Sequence, residues 1–110
     1  METQNKLPPI SVTELSQRLK AGETVALLDV REDDERKIAN LGGFHIPLSQ
    51  IPARIEELPR DQELVVYCHH GMRSAHAVGW LHGQGFPKVR NLSGGIDRWS
   101  LEIDPQVRRY

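Results

Sequence analysis

A chain of 110 residues, with 14 Lys+Arg interleaved among 15 Asp+Glu, is sized for one domain with its own core. It carries no basic face of the kind that binds nucleic acid, and at 5% aromatic content no base-stacking platform. A single cysteine excludes an intramolecular disulfide and fits a reducing compartment, and no stretch approaches the ~18 apolar residues of a membrane span. The expectation is one cytoplasmic domain over 1–110, with neither membrane nor nucleic acid as partner.

Residues 1–10, "METQNKLPPI", read as a loose lead-in with two prolines. "SVTELSQRLKAGE" predicts a helix. Ser11 can cap it, Glu14 stands three residues on as in a capping box, and Val12, Leu15 and Leu19 share a face. Gly22 ends it. "TVALLDV" is a nearly continuous apolar run of strand length, the pattern of a strand buried on both faces. The charged "REDDERKIAN" predicts a short helix closed by "LGG", and "FHIPL" a short extended piece stopped by Pro47. "SQIPARIEELP" has helical period, with Ile51, Ile55 and Leu58 aligned and Ser49 as cap.

"ELVVYC" predicts a second buried strand, and "SAHAVGWLHGQG" a helix with Ala77, Val78 and Leu81 inward and Gly85 as its stop. "KVRNLSGG" predicts a third strand with a glycine turn, and "GIDRWS" a last short helix. Strands alternating with helices predict an α/β fold whose central, mostly parallel sheet is covered by helices on both faces. Ligands of such sheets bind beyond the carboxyl ends of the strands. Cys68 falls at one of those ends.

The loop "CHHGMRS" therefore holds the candidate site. A helix starting near Ser74 offers first-turn N–H groups without intrahelical partners, and its dipole adds partial positive charge. Gly71 can take backbone angles closed to other residues, letting the loop curl with successive N–H groups inward. The product is an anion cradle centred on the Cys68 sulfur, an environment that favours a thiolate. Arg73 and a protonated His69 or His70 would act in the same direction. The competing reading is that Cys68 is a small buried hydrophobe, as most free cysteines are. Its place at a strand end, with glycine, arginine and a helix start behind it, argues for the nucleophile.

With those residues in view, the chain resembles a single-domain rhodanese over nearly all its length. "LLDVRE" resembles the family's first signature and "HIPL" its second. "VVYCHHGMRS" resembles the active-site strand and loop, and "GFPKVRNLSGGIDRW" the closing strand and final helix. The chain departs from the family where "GGFHIPLSQI" sets Phe44 before His45 and Leu48 in place of a usual glycine. The resemblance implies a rhodanese-like fold, a catalytic cysteine at Cys68, and a binding loop of His69, His70, Gly71, Met72, Arg73 and Ser74.

The same fold resembles that of dual-specificity phosphatases and arsenate reductases, which place five residues between cysteine and arginine. Here only His69, His70, Gly71 and Met72 intervene. The narrower loop suits one extra sulfur atom better than a tetrahedral oxyanion, so the expected activity is sulfur transfer through a persulfide on Cys68. The donor would be thiosulfate or a protein persulfide such as that of a cysteine desulfurase. The tail "WSLEIDPQVRRY" resembles the end of domains that work with adenylyltransferases activating ubiquitin-like sulfur carriers, so a sulfur-carrier protein is a possible acceptor. A non-catalytic binding or redox-sensing module is the alternative, and a thiol phosphatase or arsenate reductase the less favoured one.

Histidines at 69 and 70, where rhodanese loops often carry a fixed cation, would supply positive charge only in part at pH 7, which favours a persulfide donor over thiosulfate. His76 and His82 are expected on a helix surface. No pair of histidines has zinc-site spacing, so no metal is predicted, and no cofactor is implied. Asp29 and Arg31 end the first strand on the same sheet edge as Cys68. Arg31 is expected to pair with Glu35 or Asp29 and brace the loop. Trp99, Gly94 and Gly95 are expected to serve core and turn.

Overall fold

A computed structural model describes residues 6–110. Four strands, β1 (Ala26–Asp29), β2 (Phe44–His45), β3 (Leu64–Tyr67) and β4 (Val89–Asn91), form one parallel sheet in the order β2-β1-β3-β4. The helices are α1 (Val12–Lys20), α2 (Asp33–Ile38), α3 (Ile51–Arg54), α4 (Met72–Gly83) and α5 (Gly95–Glu102). Short 3-10 turns at 48–50 and 55–57 flank α3.

Because successive strand residues face opposite ways, β1 and β3 feed two cores. Leu28, Leu64 and Val66 join Ile51, Ala77, Val78 and Leu81 on the α3–α4 side. Leu27, Val65 and Tyr67 join Val12, Leu15 and Ile96 on the α1–α5 side. Both predicted doubly buried strands are thereby explained. All four residues of β3 are buried.

Several local expectations change. Ser11 caps α1 by accepting from the Glu14 amide at 3.0 Å, but the Glu14 carboxylate lies 3.5 Å from Arg90 instead of closing a capping box. Leu19 is 37% exposed and Ser16 is buried in its place, because the sheet-facing side of α1 runs through Val12, Leu15 and Ser16. Ser49 caps nothing; it lies inside the first 3-10 turn. Helix α4 starts two residues earlier than predicted, at Met72 behind Gly71.

The expected loose lead-in is also partly overturned. Residues 1–5 lie outside the described residues. Ile10, however, is fully buried and bridges Leu92: its amide donates to the Asn91 carbonyl and its own carbonyl accepts from Ser93, both at 2.9 Å. Among the described residues, no helix is long and apolar enough to cross a membrane.

Candidate active site

The chain runs from β1 outward to β2, then returns to the middle and runs from β3 outward to β4 on the other side. The reversal leaves a crevice at the carboxyl ends of β1 and β3, where Asp29 stands in register with Tyr67. Cys68 is the next residue. It is 1% exposed, and its sulfur rests against the α3–α4 core.

The loop is held open toward the sulfur by the helix beyond it. The Ile96 amide donates to the Cys68 carbonyl at 2.9 Å and the Asp97 amide to the His69 carbonyl at 3.0 Å. Since N–H and C=O point oppositely across a planar peptide, carbonyls drawn toward α5 turn the following amides the other way. The approach requires glycine at 95, where φ is +63° and a Cβ would stand 2.5 Å from both loop carbonyls. Gly71, at φ +101°, then reverses the chain into α4.

Two amides donate to Sγ, that of Gly71 at 3.1 Å and that of Ser74 at 3.3 Å, and the Ser74 hydroxyl oxygen also lies 3.3 Å from it. Ser74 is completely buried. Convergent donors of this kind stabilise negative charge on the atom they surround. The cradle expected from His69 to Ser74 is thus narrower at the sulfur itself, made by Gly71 and Ser74. Sequence reasoning missed the residue behind it, Asn91 at the end of β4. Its Oδ1 accepts from the Ser74 hydroxyl at 2.5 Å and its Nδ2 donates to the Gly71 carbonyl at 3.1 Å. A polar residue closing a buried strand, just before a glycine turn, was the only available signal.

The histidines do not face the sulfur as hydrogen-bond partners. His69 is stacked between His70, with ring centres 3.8 Å apart, and Tyr110, 3.9 Å away and nearly parallel. Burial, followed by the neighbouring His70, lowers the His69 pKa below its ordinary value, so this ring is neutral at pH 7. His70 is exposed and lies 3.9 Å from Asp97. His69, His70 and Asp97 offer ligand atoms within 4.8 Å of one another. Stacked rings send their in-plane lone pairs side by side, however, and the Arg109 guanidinium already reaches both Asp97 oxygens, at 2.9 and 3.4 Å. On the far part of α4, His76 is exposed and His82 donates to the Val89 carbonyl at 2.8 Å.

Arg73 stands in the first turn of α4 but is not free. Glu35 of α2 grips it through two hydrogen bonds, at 2.7 and 2.8 Å. The Arg73 guanidinium holds the Glu35 carboxyl down to about 2, helped by the Glu32 amide and the Tyr110 hydroxyl and opposed by burial. Of its two expected partners, Arg31 pairs with Asp29. It is fully buried, its Nε and Nη2 donate to Asp29 at 2.9 and 2.8 Å, and it reaches only the backbone carbonyl of Glu35. Arg31 also donates to the Tyr110 hydroxyl at 2.9 Å, which in turn donates to Glu35 at 2.8 Å. Asp29 and Arg31 are thus paired at the end of β1 and reach the loop through Tyr110, which stacks on His69. Met72, at the start of α4, is 80% exposed. Beside it along α4, a groove of about 660 Å³ is lined by Leu48, Ile51, Ala75 and Trp80 among others.

An α/β switch point carrying a donor-ringed cysteine defines a thiol-centred class of domain. The comparisons narrow that class. The model of the rhodanese-like domain matches residues 11–102, and the chain belongs to this family. It is 39% identical over 94 residues to a sulfurtransferase of Allochromatium vinosum, covering 84% of this chain and 88% of that one. It is 36% identical over 100 residues to a Bacillus subtilis protein named "Putative sulfur carrier protein YrkF", covering 90% of this chain. The chain spans about half of that relative's length, 54%. A crystal structure of a rhodanese-related protein from Thermoplasma volcanium superposes with a TM-score of 0.79 at 33% identity, covering 88% of this chain and 94% of that one. The fold is the rhodanese fold, and the relatives' names support a sulfur-transfer role.

Proposed function

We propose that the protein is a sulfurtransferase that carries a sulfane sulfur as a persulfide on Cys68. The observation that carries this reading is the convergence of the Gly71 and Ser74 amides on Sγ, with the Ser74 hydroxyl beside them, inside a loop with only four residues between Cys68 and Arg73. In the first half-reaction the Cys68 thiolate attacks the outer sulfur of a donor R–S–SH. A bond from Cys68 Sγ to that sulfur forms, the donor's S–S bond breaks, R–S⁻ leaves with the electron pair, and the proton of the transferred sulfur passes to R–S⁻ or to solvent, leaving Cys68–S–S⁻. In the second, an acceptor nucleophile attacks the outer sulfur of Cys68–S–S⁻ and the Cys68 thiolate is the leaving group. The amides of Met72 and Arg73, first-turn donors of α4 without intrahelical partners, are available to the outer sulfur.

The charges around the cradle favour a persulfide donor over thiosulfate. A dianion needs free cations, whereas Arg73 is neutralised by Glu35 and burial disfavours the charged form of His69. Met72 and the apolar groove beside it suit the surface of a protein donor, such as a cysteine desulfurase carrying a persulfide. The relative named as a sulfur carrier supports a sulfur-carrier protein as acceptor.

The test is an intact mass. The purified protein and Cys68→Ser are each incubated with thiosulfate or with a cysteine-desulfurase persulfide, and excess donor is removed. The expected result is a gain of one sulfur, larger with the desulfurase, reversed by cyanide and absent from Cys68→Ser. No gain with either donor, or an equal gain in the variant, would overturn the proposal.

A further inference from the structure

One hydroxyl proton at this site has two acceptors within reach. Ser74 Oγ lies 3.3 Å from Cys68 Sγ and 2.5 Å from Asn91 Oδ1. The other end of the Asn91 amide settles its orientation. The Gly71 carbonyl, 3.1 Å away, can only accept, so Nδ2 faces it and Oδ1 faces Ser74. An amide oxygen has no proton to give, so the hydrogen in the Ser74–Asn91 contact belongs to the serine. While it stays there, the sulfur meets a lone pair of Ser74 Oγ, which suits a thiol S–H. An anionic sulfur needs the hydroxyl turned round. Gly71 and Ser74, the two residues that donate to Sγ, are both anchored by this one side chain.

We infer that Asn91 is a positioning residue for the Cys68 sulfur, forming with Ser74 a two-position proton switch. With the Ser74 proton directed at Asn91 Oδ1, Ser74 presents an acceptor to the thiol. With the proton turned inward, it presents a donor to the thiolate or to the outer charge of a persulfide. Asn91 touches no reacting atom; its control of the proton runs through the Ser74 hydroxyl, while its Nδ2 anchors the Gly71 carbonyl. The role toward the thiol stands on the geometry alone; the role toward the persulfide rests on the proposed function.

The experiment measures iodoacetamide alkylation of Cys68 against pH, without any sulfur donor, in the wild type, Asn91→Ala, Ser74→Ala and the double variant. Asn91→Ala releases the hydroxyl to the sulfur, so the profile should move to lower pH, with alkylation on its acid limb about 3- to 10-fold faster, the reach of one hydrogen bond. Ser74→Ala should move it to higher pH. Adding Asn91→Ala to Ser74→Ala should change nothing more, since the hydroxyl is gone. Asn91→Asp should move the profile opposite to Asn91→Ala, because a charged acceptor keeps the proton and adds a second anion. A folding defect does not produce opposite signs from two substitutions at one position.

The other charged and titratable groups around the loop are shared by these proteins: Arg73 of α4 with Glu35 of α2, and Arg31 with Asp29 at the end of β1. So are His69 and His70 of the loop, Asp97 of α5, and Tyr110. An unchanged profile in Asn91→Ala, or an equal shift with and without Ser74, would overturn the inference. Alkylation needs no sulfur donor, so a failure of sulfur transfer and a failure of this switch are read separately.

Discussion

Glu35 and Arg73 meet through two parallel hydrogen bonds, Nη1 to Oε1 at 2.7 Å and Nη2 to Oε2 at 2.8 Å, across 38 positions of sequence. The pair ties α2 to the first turn of α4 and takes the loop's fixed cation out of play. Replacing Glu35 by Gln keeps the shape and removes the charge. Arg73 is 37% exposed and can rehydrate, so the stability loss should be about 1 kcal/mol, read from urea unfolding. The freed guanidinium should lower KM for thiosulfate several-fold and leave a persulfide donor unaffected. An unchanged thiosulfate KM would mean that Arg73 never faces the donor.

The same pair sets an acid limit. Glu35 titrates at about 2 in the folded protein against an ordinary 4.5, so its contribution is complete above 4.5 and is lost as pH falls toward 2. Wild-type stability should decline between those values by about 1 kcal/mol more than that of Glu35→Gln, the screened worth of the pair. Unfolding midpoints of the two proteins measured from pH 5 to pH 2.5 provide the comparison. Parallel curves would show that the ion pair is not made in solution.

Gly95 is the closest approach between α5 and the active-site loop. An alanine there must hold φ near +63° and put its Cβ 2.5 Å from the Cys68 and His69 carbonyls. The expected cost is on the order of 3 kcal/mol, with persulfide formation slowed at least about tenfold as the loop is pushed out of shape. Gly22→Ala, where no neighbour lies within 4 Å of the new Cβ, is the control, and it should cost only the positive-φ penalty of about 1–2 kcal/mol. Equal losses in both variants would remove the steric argument.

Asp29→Asn leaves the Arg31 guanidinium fully buried with one partner uncharged. Breaking a buried pair from one side costs about 3–5 kcal/mol, far more than an exposed pair is worth. Denaturant unfolding should register it even if the variant keeps its fold at 25 °C. A loss under 1 kcal/mol would place Arg31 in contact with water.

Local chemistry was legible in the chain itself. Apolar runs of strand length marked β1 and β3, Ser11 marked the start of α1, and Cys68 at a strand end before a glycine and a helix marked the candidate site. Each of these signals lies within a few residues of its effect, because strand burial, capping and turns are decided by neighbours in sequence. Side-chain partners were not legible. Glu35 lies near Arg31 in sequence but gives its carboxylate to Arg73, and Asn91 holds a serine 17 positions away. Leu19 and Ser16 exchange places because the packing angle of α1 on the sheet, and not its period, chooses the buried face. Tyr110, at the far end of the chain, stacks on His69 and bonds Arg31 and Glu35. Residue types alone name the groups able to donate or accept. Which donor meets which acceptor is settled only when the sheet order β2-β1-β3-β4 brings distant segments to one edge, since a hydrogen bond or ion pair depends on ångström-scale distance and not on separation along the chain.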